Sequence, residues 1–542
     1  MSSTLVATAA LLGLVAHHGV FIRGEYHLKL RQVVAGHAVL AVTSYYLLCH
    51  ISQSFIEASF ALLIGSSIYF TTLFTSIAIY RIFFHPLRNF PGPKLAGLSK
   101  FWHVYHALDS RNYRLQREIN KKYGSVVRTG PNEISIYHPQ GIELLDGPKS
   151  TTTKDAFYDI LRPNSSAIFT RDEKEHTDRR KTWTQSLSQR SMDEFRPRIA
   201  KVSLALRGAV DKFVDEGKPV DVNDLMAWYS FDVMGEVVFG QDFGSIKNRK
   251  THPAFIIQEH ALGLLGPILD TQWIAQMGFA FVPFIGNVKR WMTMVAFCKE
   301  QMANRFRRHE ETKTPDMAGW FINEFKALNG NTNEDYLSKH FHGTTISVVV
   351  ASDTTRSAFI AIWWYLCQYP EHMHKIQEEI ENVDVMDANA LALLPHFNAV
   401  INEVLRIMPP AMTGNGRMTG PNGMTVDGQF IPPGTKVTAP KYVIMRQESA
   451  FEHADDFIPE RWTSRPELVK DRRAFGPFSF GHRQCPGKVL AYAELRLTTA
   501  LFLKKYNVSF AEGYDPDTMW RDLKDQVTAQ PGKVLCNFTP RD

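Results

Sequence analysis

Hydrophobic and polar positions are intermixed along most of the chain, but the first 84 residues follow a different pattern. Of 116 Asp, Glu, Lys and Arg residues (61 basic plus 55 acidic), only Arg23, Glu25, Lys29, Arg31, Glu57 and Arg81 fall there. Ala58 through Tyr80 is a 23-residue run without a formal charge, rich in Ile, Leu and Phe. It meets the roughly 20-residue length needed to cross a bilayer, and so predicts a transmembrane helix. Gln32 to Ile56 is uncharged too, and residues 2–22 are uncharged but interrupted by His17 and His18, so two or three spans are predicted. A secretory signal peptide is the competing reading of residues 1–22. The missing basic n-region and the two apolar runs that follow count against it. Positive charge stands in Arg23, Lys29 and Arg31, is absent between the second and third runs, and returns in Arg81, Arg88, Lys94 and Lys100. By the positive-inside rule these basic segments, and everything after residue 85, face the cytosol.

After the last run comes Phe90-Pro91-Gly92-Pro93-Lys94-Leu95, whose prolines cannot continue a helix and stiffen the connection. The chain therefore divides into a membrane anchor (1–84), a proline-rich hinge (85–95) and one large domain (96–542). Long helical periodicities there, separated by short strand-like pieces, predict a mainly α (α+β) domain with small β-sheets. The overall 44% hydrophobic and 21% charged residues exclude a disordered chain. A net charge of +6 without a long Lys/Arg run excludes a nucleic-acid binder. The five cysteines, at 49, 298, 367, 485 and 536, are too few and too scattered to staple the fold or to pair up around zinc, which favours a reducing compartment.

Four of those cysteines sit in apolar patterns and read as small buried hydrophobes. Cys485 differs. It lies in Phe478-Ser-Phe-Gly481-His-Arg483-Gln-Cys485-Pro-Gly487-Lys, a loop that runs into the amphipathic helix pattern KVLAYAELRLTTALFLKKY. Backbone N–H groups at a helix start stabilise a thiolate and tune its electron donation, which a metal-bound cysteine needs.

This loop resembles the haem-binding loop of the cytochrome P450 superfamily, F-x-x-G-x-R-x-C-x-G, at every fixed position. The resemblance implies the cytochrome P450 fold for the large domain, with haem b as cofactor and Cys485 as the axial thiolate on its iron. It implies that Arg483 pairs with a haem propionate, Gly481 allows the turn, Gly487 lets helix and porphyrin approach, and Phe478 packs beside the sulfur. Glu403 and Arg406, in NAVINEVLRIM, and Arg461, in Pro459-Glu-Arg461-Trp462, match the family's buried structural network. Alone, Glu403 and Arg406 would be an ordinary i, i+3 ion pair. In HGTTISVVVASDTTRSAFIAIWWYL a polar patch interrupts a long apolar helix, and it resembles the family's oxygen-activation motif. Asp353 and Thr354 stand at its acid and alcohol positions as the proton-relaying, catalytic pair, and Ala351 stands where glycine is usual. Glu175-His176-Thr-Asp-Arg179-Arg180-Lys181 resembles the helix that reaches the propionates through His176 and Arg180, though it also reads as a solvated basic helix start.

The function implied is a monooxygenase that inserts one atom of O2 into an apolar small-molecule substrate. Only 57 residues follow Cys485 and none form a dinucleotide fingerprint, so a separate NADPH-cytochrome P450 reductase is the expected electron donor. Arg472, Arg473, His482, Lys488, Arg179 and Lys181 read either as a positive face for an acidic partner or as ordinary surface charge. The stretch 261–287, with Asp270 as its only charge, falls where the family has its substrate roof and membrane-dipping helices, and reads equally as core. Val349, Val350 and Pro409 to Thr413 are the candidate pocket lining. The N-terminal HHGVFIRGEYH resembles fungal microsomal members that tailor secondary metabolites, the tryprostatin B 6-hydroxylase type among them. That resemblance implies a place in the endoplasmic reticulum membrane, against lipid. A reductase-independent isomerase or dehydratase on the same fold, and a non-catalytic haem-binding membrane protein, are the alternatives.

Overall fold

The apolar runs fold into helices long and apolar enough to cross a membrane: Ser3–Phe21, Leu30–Ser52 and Phe55–Phe84. Ser54 caps the third, accepting from the Glu57 N–H. The first packs on the third at Gly13, where an added Cβ would stand 2.7 Å from the Tyr69 carbonyl oxygen, so a small residue lets the backbones approach. His17, which interrupts the first run, lies in the π-turn Ala16–Phe21 and bonds to Ser76 Oγ at 2.7 Å through Nδ1. An imidazole among apolar helices needs such a partner. A fourth helix, Phe341–Gln368, is as long and apolar, but 72% of its most apolar stretch is buried in protein, against 17% or less for the other three. It belongs to the core.

The computed structural model describes the chain except residues 1–2, 53, 270, 312–314, 329–333, 415 and 542, and only the backbone of 328 and 334–340. Asp270 therefore lies outside the described residues. The proline-rich connection is held against the body: Pro91 accepts from the Arg128 N–H at 2.8 Å, and the Arg128 guanidinium bonds the carbonyls of Arg81 and Gly97. Gly92 sits so close to the Arg128 carbonyl that a Cβ would stand 2.2 Å from it.

Helices dominate the body, and Glu334–Gln368 runs through its centre. Around it pack Val222–Met234, Gly286–Arg307, Pro395–Ile407 and Lys488–Leu503. Asp221 starts the first of these by accepting from the Asn223 and Asp224 N–H groups, and the Glu379 carboxylate caps the third from a neighbouring helix through the His396 and Phe397 N–H groups. A five-stranded sheet lies to one side, in the order Val126–Gly130, Glu133–Ile136, Lys436–Thr438, Arg417–Met418, Thr153–Lys154. Only the pairing of the second strand with the third is parallel. The last two strands set Lys154 opposite Arg417. A three-stranded sheet of Val220–Asp221, Leu535–Pro540 and Tyr506–Phe510 closes the other end. The stretch 261–287 is divided: Ala261, Leu262 and Leu265 are core, whereas Phe284 is 83% exposed beside exposed Ile285.

Candidate active site

The loop before Lys488–Leu503 turns through two left-handed residues, Ser479 (φ 58°) and Gly481 (φ 61°). At Gly481 a Cβ would stand 2.5 Å from the Asp146 carbonyl oxygen, so glycine alone fits both the dihedral and the space. The turn returns the Cys485 N–H to the Phe478 carbonyl at 2.8 Å and aims the N–H groups of Gly487 and Lys488 at the sulfur. Burial pushes the thiol pKa up, and these N–H groups, with Lys441 and Arg180, pull the other way. Gly487 caps the helix, and a Cβ on it would meet Cys485 Sγ at 3.8 Å. Cys485 has exposed surface although it lies deep in the protein, because it opens onto an interior cavity.

One wall of that cavity is Phe478, Cys485 and Pro486; facing it are Thr354, Thr355 and Ala358 of the central helix. An adjoining cavity shares Trp183, Thr354, Phe478 and Cys485, and extends to Ala351, Ser352, Gly487 and Glu494. Ala351 and Thr354 keep exposed surface at mid-helix because they border this space. Pro410 and Ala411 reach the wall, whereas Val349, Val350, Pro409, Met412 and Thr413 do not line it.

The polar groups of the cavity are unbalanced toward the positive. Lys154, His176, Arg180, Arg417, Lys441 and Arg483 line it, with no carboxylate among its described lining residues. Lys154 and Arg417 stand directly opposite across a strand pair; the Asp146 carboxylate, 2.8 Å from Arg417, balances one of the two charges, and among the described residues Lys154 Nζ has only the Ala167 and Ile168 carbonyls. Among its described lining residues, three buried donors have no partner, Trp183 Nε1 and Nε and Nη1 of Arg483, and His176 Nδ1 is unpartnered as well. An orphaned buried donor costs about 1–3 kcal/mol. Burial, then the nearby cations, lower the His176 pKa to about 3, so its ring is neutral. Burial lowers Lys154 to about 7 and Lys441 to about 8. A flat apolar group carrying two carboxylates and a metal opposite a thiol would answer every one of these features, so the residues fit a haem.

His176 and Arg180 are brought to this wall from the helix Glu173–Ser186, which Asp172 caps at the Glu175 N–H, 2.7 Å away. Arg180 donates to the Gln484 carbonyl at 2.6 Å, and Arg483 to the Thr152 carbonyl at 2.8 Å and Glu173 at 2.5 Å. Lys154, Arg417 and Lys441 were not legible in the sequence. Each is an isolated basic residue: strand pairing brings Lys154 and Arg417 to the cavity, and the short helix Lys441–Ile444 brings Lys441. Trp183 carried a weak signal, as the aromatic of a basic segment.

Thr354 and Asp353, adjacent in sequence, face different ways. Thr354 Oγ1 borders the cavity and donates to the Ala351 carbonyl at 2.8 Å. The Asp353 carboxylate is buried against Arg356 Nε at 3.0 Å, and Thr528 Oγ1 and Gln530 Nε2 donate to it at 2.5 Å. It does not line the cavity.

Glu403, Arg406 and Arg461 meet behind the cysteine loop, all 0–1% exposed. The Glu403 carboxylate accepts from Arg406 at 2.8 and 2.9 Å, from Arg461 Nε at 2.9 Å, from Trp462 Nε1 at 2.9 Å and from the Ile458 N–H at 3.0 Å. Of the basic residues near the loop, Arg179, Lys181 and Arg473 are paired with Glu324, Asp178 and Asp471.

Glu494 is a buried acid on the wall of the adjoining cavity, and burial raises its pKa to about 8. A folded-state pKa above the unfolded one means stability is lost as pH rises from the unfolded value through about 8. Glu494→Gln removes that loss. The variant's unfolding midpoint, measured against pH, is expected to gain on the parent's from pH 5 to pH 8; a pH-independent difference would contradict it.

The family described as Cytochrome P450 matches residues 91–537. Cytochrome P450 monooxygenase phqL of Penicillium fellutanum is 30% identical, the match covering 99% of this chain and 95% of that protein. Cytochrome P450 monooxygenase FCK2 of Fusarium pseudograminearum is 31% identical over 98% and 97%. Tryprostatin B 6-hydroxylase of Neosartorya fischeri is 31% identical over 97% and 96%. With a match across most of its length and relatives aligned nearly end to end, the chain belongs to the cytochrome P450 family, whose cofactor is a haem held through a cysteine thiolate.

Proposed function

We propose that this monooxygenase inserts one atom of O2 into an apolar small molecule, as a tailoring step in fungal secondary-metabolite biosynthesis, with Cys485 as the axial ligand. The reading rests on one observation above the others: a single sulfur at a helix start faces Thr354 and Thr355 across a cavity whose unpaired groups all suit an anion. The names of the relatives support a tailoring hydroxylation.

Arg483, His176 and Arg180, joined by Trp183, Lys154 and Arg417, would hold the haem propionates; Phe478 and Gly487 would flank the sulfur side. The haem, when bound, supplies O2 activation and C–H oxidation, aided by the thiolate's electron donation. Overall a C–H bond, O2, two electrons and two protons give C–OH and water. A redox partner supplies the electrons, and NADPH-cytochrome P450 reductase is the donor proposed. The chain's own task is the protons. Of the two threonines on the wall facing the sulfur, Thr354 holds its Oγ1 on the Ala351 carbonyl, placed to turn from it and hold a proton toward the reacting oxygen. Asp353 can resupply it only by leaving Arg356, Thr528 and Gln530. Replacing Thr354 by Ala is expected to leave NADPH consumption in place while product per NADPH falls at least about tenfold, the scale of a lost proton donor. Unchanged coupling would remove Thr354 from this role.

The enzyme is anchored by its apolar N-terminal helices. We place it in the endoplasmic reticulum membrane with the body cytosolic. The segment after the first helix bonds the body, Glu25 to Arg171, so both lie on one side, as three spans and the positive-inside rule require. Exposed Phe284, Ile285 and Phe101 suit a surface that takes an apolar substrate from lipid. Reduced protein under carbon monoxide should show the red-shifted thiolate band. Haem-loaded protein without that band would overturn the assignment.

A further inference from the structure

The eight residues 22–29, which connect the first two apolar helices, lie outside the stretch that the family match covers, yet they bond to the wall of the active site. Glu25 meets Arg171 through both carboxylate oxygens, at 2.5 and 3.2 Å. His27 Nε2 lies 2.9 Å from Asp159 Oδ2, and both residues are buried. Arg171 Nη1 also donates to Asp159 at 3.1 Å, and its Nε to the Lys154 carbonyl at 3.1 Å. Arg31, just inside the second helix, reaches the Ala280 carbonyl at 3.4 Å, and Gln276 of the same neighbouring helix donates to the Asp159 carbonyl at 3.3 Å.

The segment 154–171 has two faces. Lys154, Tyr158, Ala167 and Ile168 line the cavity that Cys485 faces, while Asp159 and Arg171 turn outward to the connecting residues. Tyr158 and Asp159 are consecutive, so a shift of one moves the other. Tyr158 OH accepts from Arg417 Nη1 at 2.6 Å, and Lys154 Nζ donates to the Ala167 and Ile168 carbonyls at 2.8 Å, which makes the inner face one bonded unit. Burial alone would raise the Asp159 pKa; the bonds from His27 and Arg171 outweigh it and lower the value.

We propose that residues 22–29 clamp the active-site wall: Glu25 and His27 are positioning residues that hold segment 154–171 closed and so set how readily a small molecule reaches the cavity. The membrane anchor then governs access to the site as well as location. The inference goes beyond the reaction proposed above and does not depend on which substrate is oxidised.

The test uses haem-loaded, full-length protein in lipid nanodiscs, with hydrogen–deuterium exchange of residues 154–171 and the rate at which 4-phenylimidazole binds, followed in the haem absorption. Glu25→Arg and His27→Gln are each expected to speed exchange of that segment and 4-phenylimidazole binding by roughly tenfold, a local opening. The carbon monoxide band and the unfolding midpoint should stay as in the parent. Glu25→Asp, which keeps a carboxylate for Arg171 and leaves the bonds of Arg171 to Asp159 and Lys154 in place, should hold both rates within about twofold of the parent. Parent-like exchange and binding in both Glu25→Arg and His27→Gln would overturn the proposal, as would a haem-loaded Glu25→Asp variant as fast as Glu25→Arg. Exchange reports on the clamp even if the oxidation chemistry were misassigned, so the two readings fail separately.

Discussion

Cys485→Ser is expected to abolish product formation to the detection limit and to eliminate the thiolate band, while the fold persists. The expectation follows from geometry. Cys485 is the only cysteine on the described cavity wall, and Cys49, Cys298, Cys367 and Cys536 lie elsewhere. A serine hydroxyl fits the same space, and its N–H would keep the bond to the Phe478 carbonyl, so the loop has no reason to collapse. What it lacks is an anionic sulfur. Burial pushes the thiol pKa up, and binding a metal would take its proton; a hydroxyl would yield its own far less readily. The readouts are the carbon monoxide difference spectrum, haem content and far-ultraviolet circular dichroism. A serine variant that retains the band or the turnover would remove Cys485 from the ligand role.

Glu403→Gln is expected to destabilise the protein by about 3–5 kcal/mol, the scale of breaking a buried ion pair from one side. One carboxylate serves two guanidinium groups, an indole N–H and a backbone N–H, with no water access to compensate a loss. The remaining donors of Arg406 are spent on the carbonyls of Met445, Ala454 and Asp456, and those of Arg461 on Glu452, His453 and Leu468. An amide leaves two buried cations with half their partner. Those carbonyls belong to the segment preceding the cysteine loop, so haem retention should fail along with stability. Denaturant unfolding of the haem-loaded protein measures the loss. A variant within about 1 kcal/mol of the parent would show that the carbonyl contacts alone hold this segment.

The cysteine loop, the apolar runs and the Glu403–Arg406 spacing were legible in the sequence because their constraints are local: a left-handed glycine, a helix start and an i, i+3 pair all fall within a few residues. The cationic lining of the cavity was not. Arg417 and Lys154 are 263 positions apart and meet only because a two-residue strand pairs with another two-residue strand at the sheet edge. The direction of Asp353 was equally hidden. It is set by Thr528 and Gln530 on a hairpin far along the chain, and no helical periodicity reports such a partner. The charge-poor N-terminus announced an anchor, but not that Glu25 and His27 reach the active-site wall, since the partner charges Arg171 and Asp159 look like ordinary surface residues.

A monooxygenase puts one oxygen atom from O2 into a small molecule at the expense of external electrons. The most direct test starts from the metabolite that accumulates when the gene is disrupted, incubated with the full-length enzyme, NADPH, a P450 reductase and isotopically heavy O2. The expected product carries one heavy oxygen atom and forms only with NADPH. Label entering from water instead, or product forming without NADPH, would contradict the monooxygenase and favour an isomerase or dehydratase on the same fold.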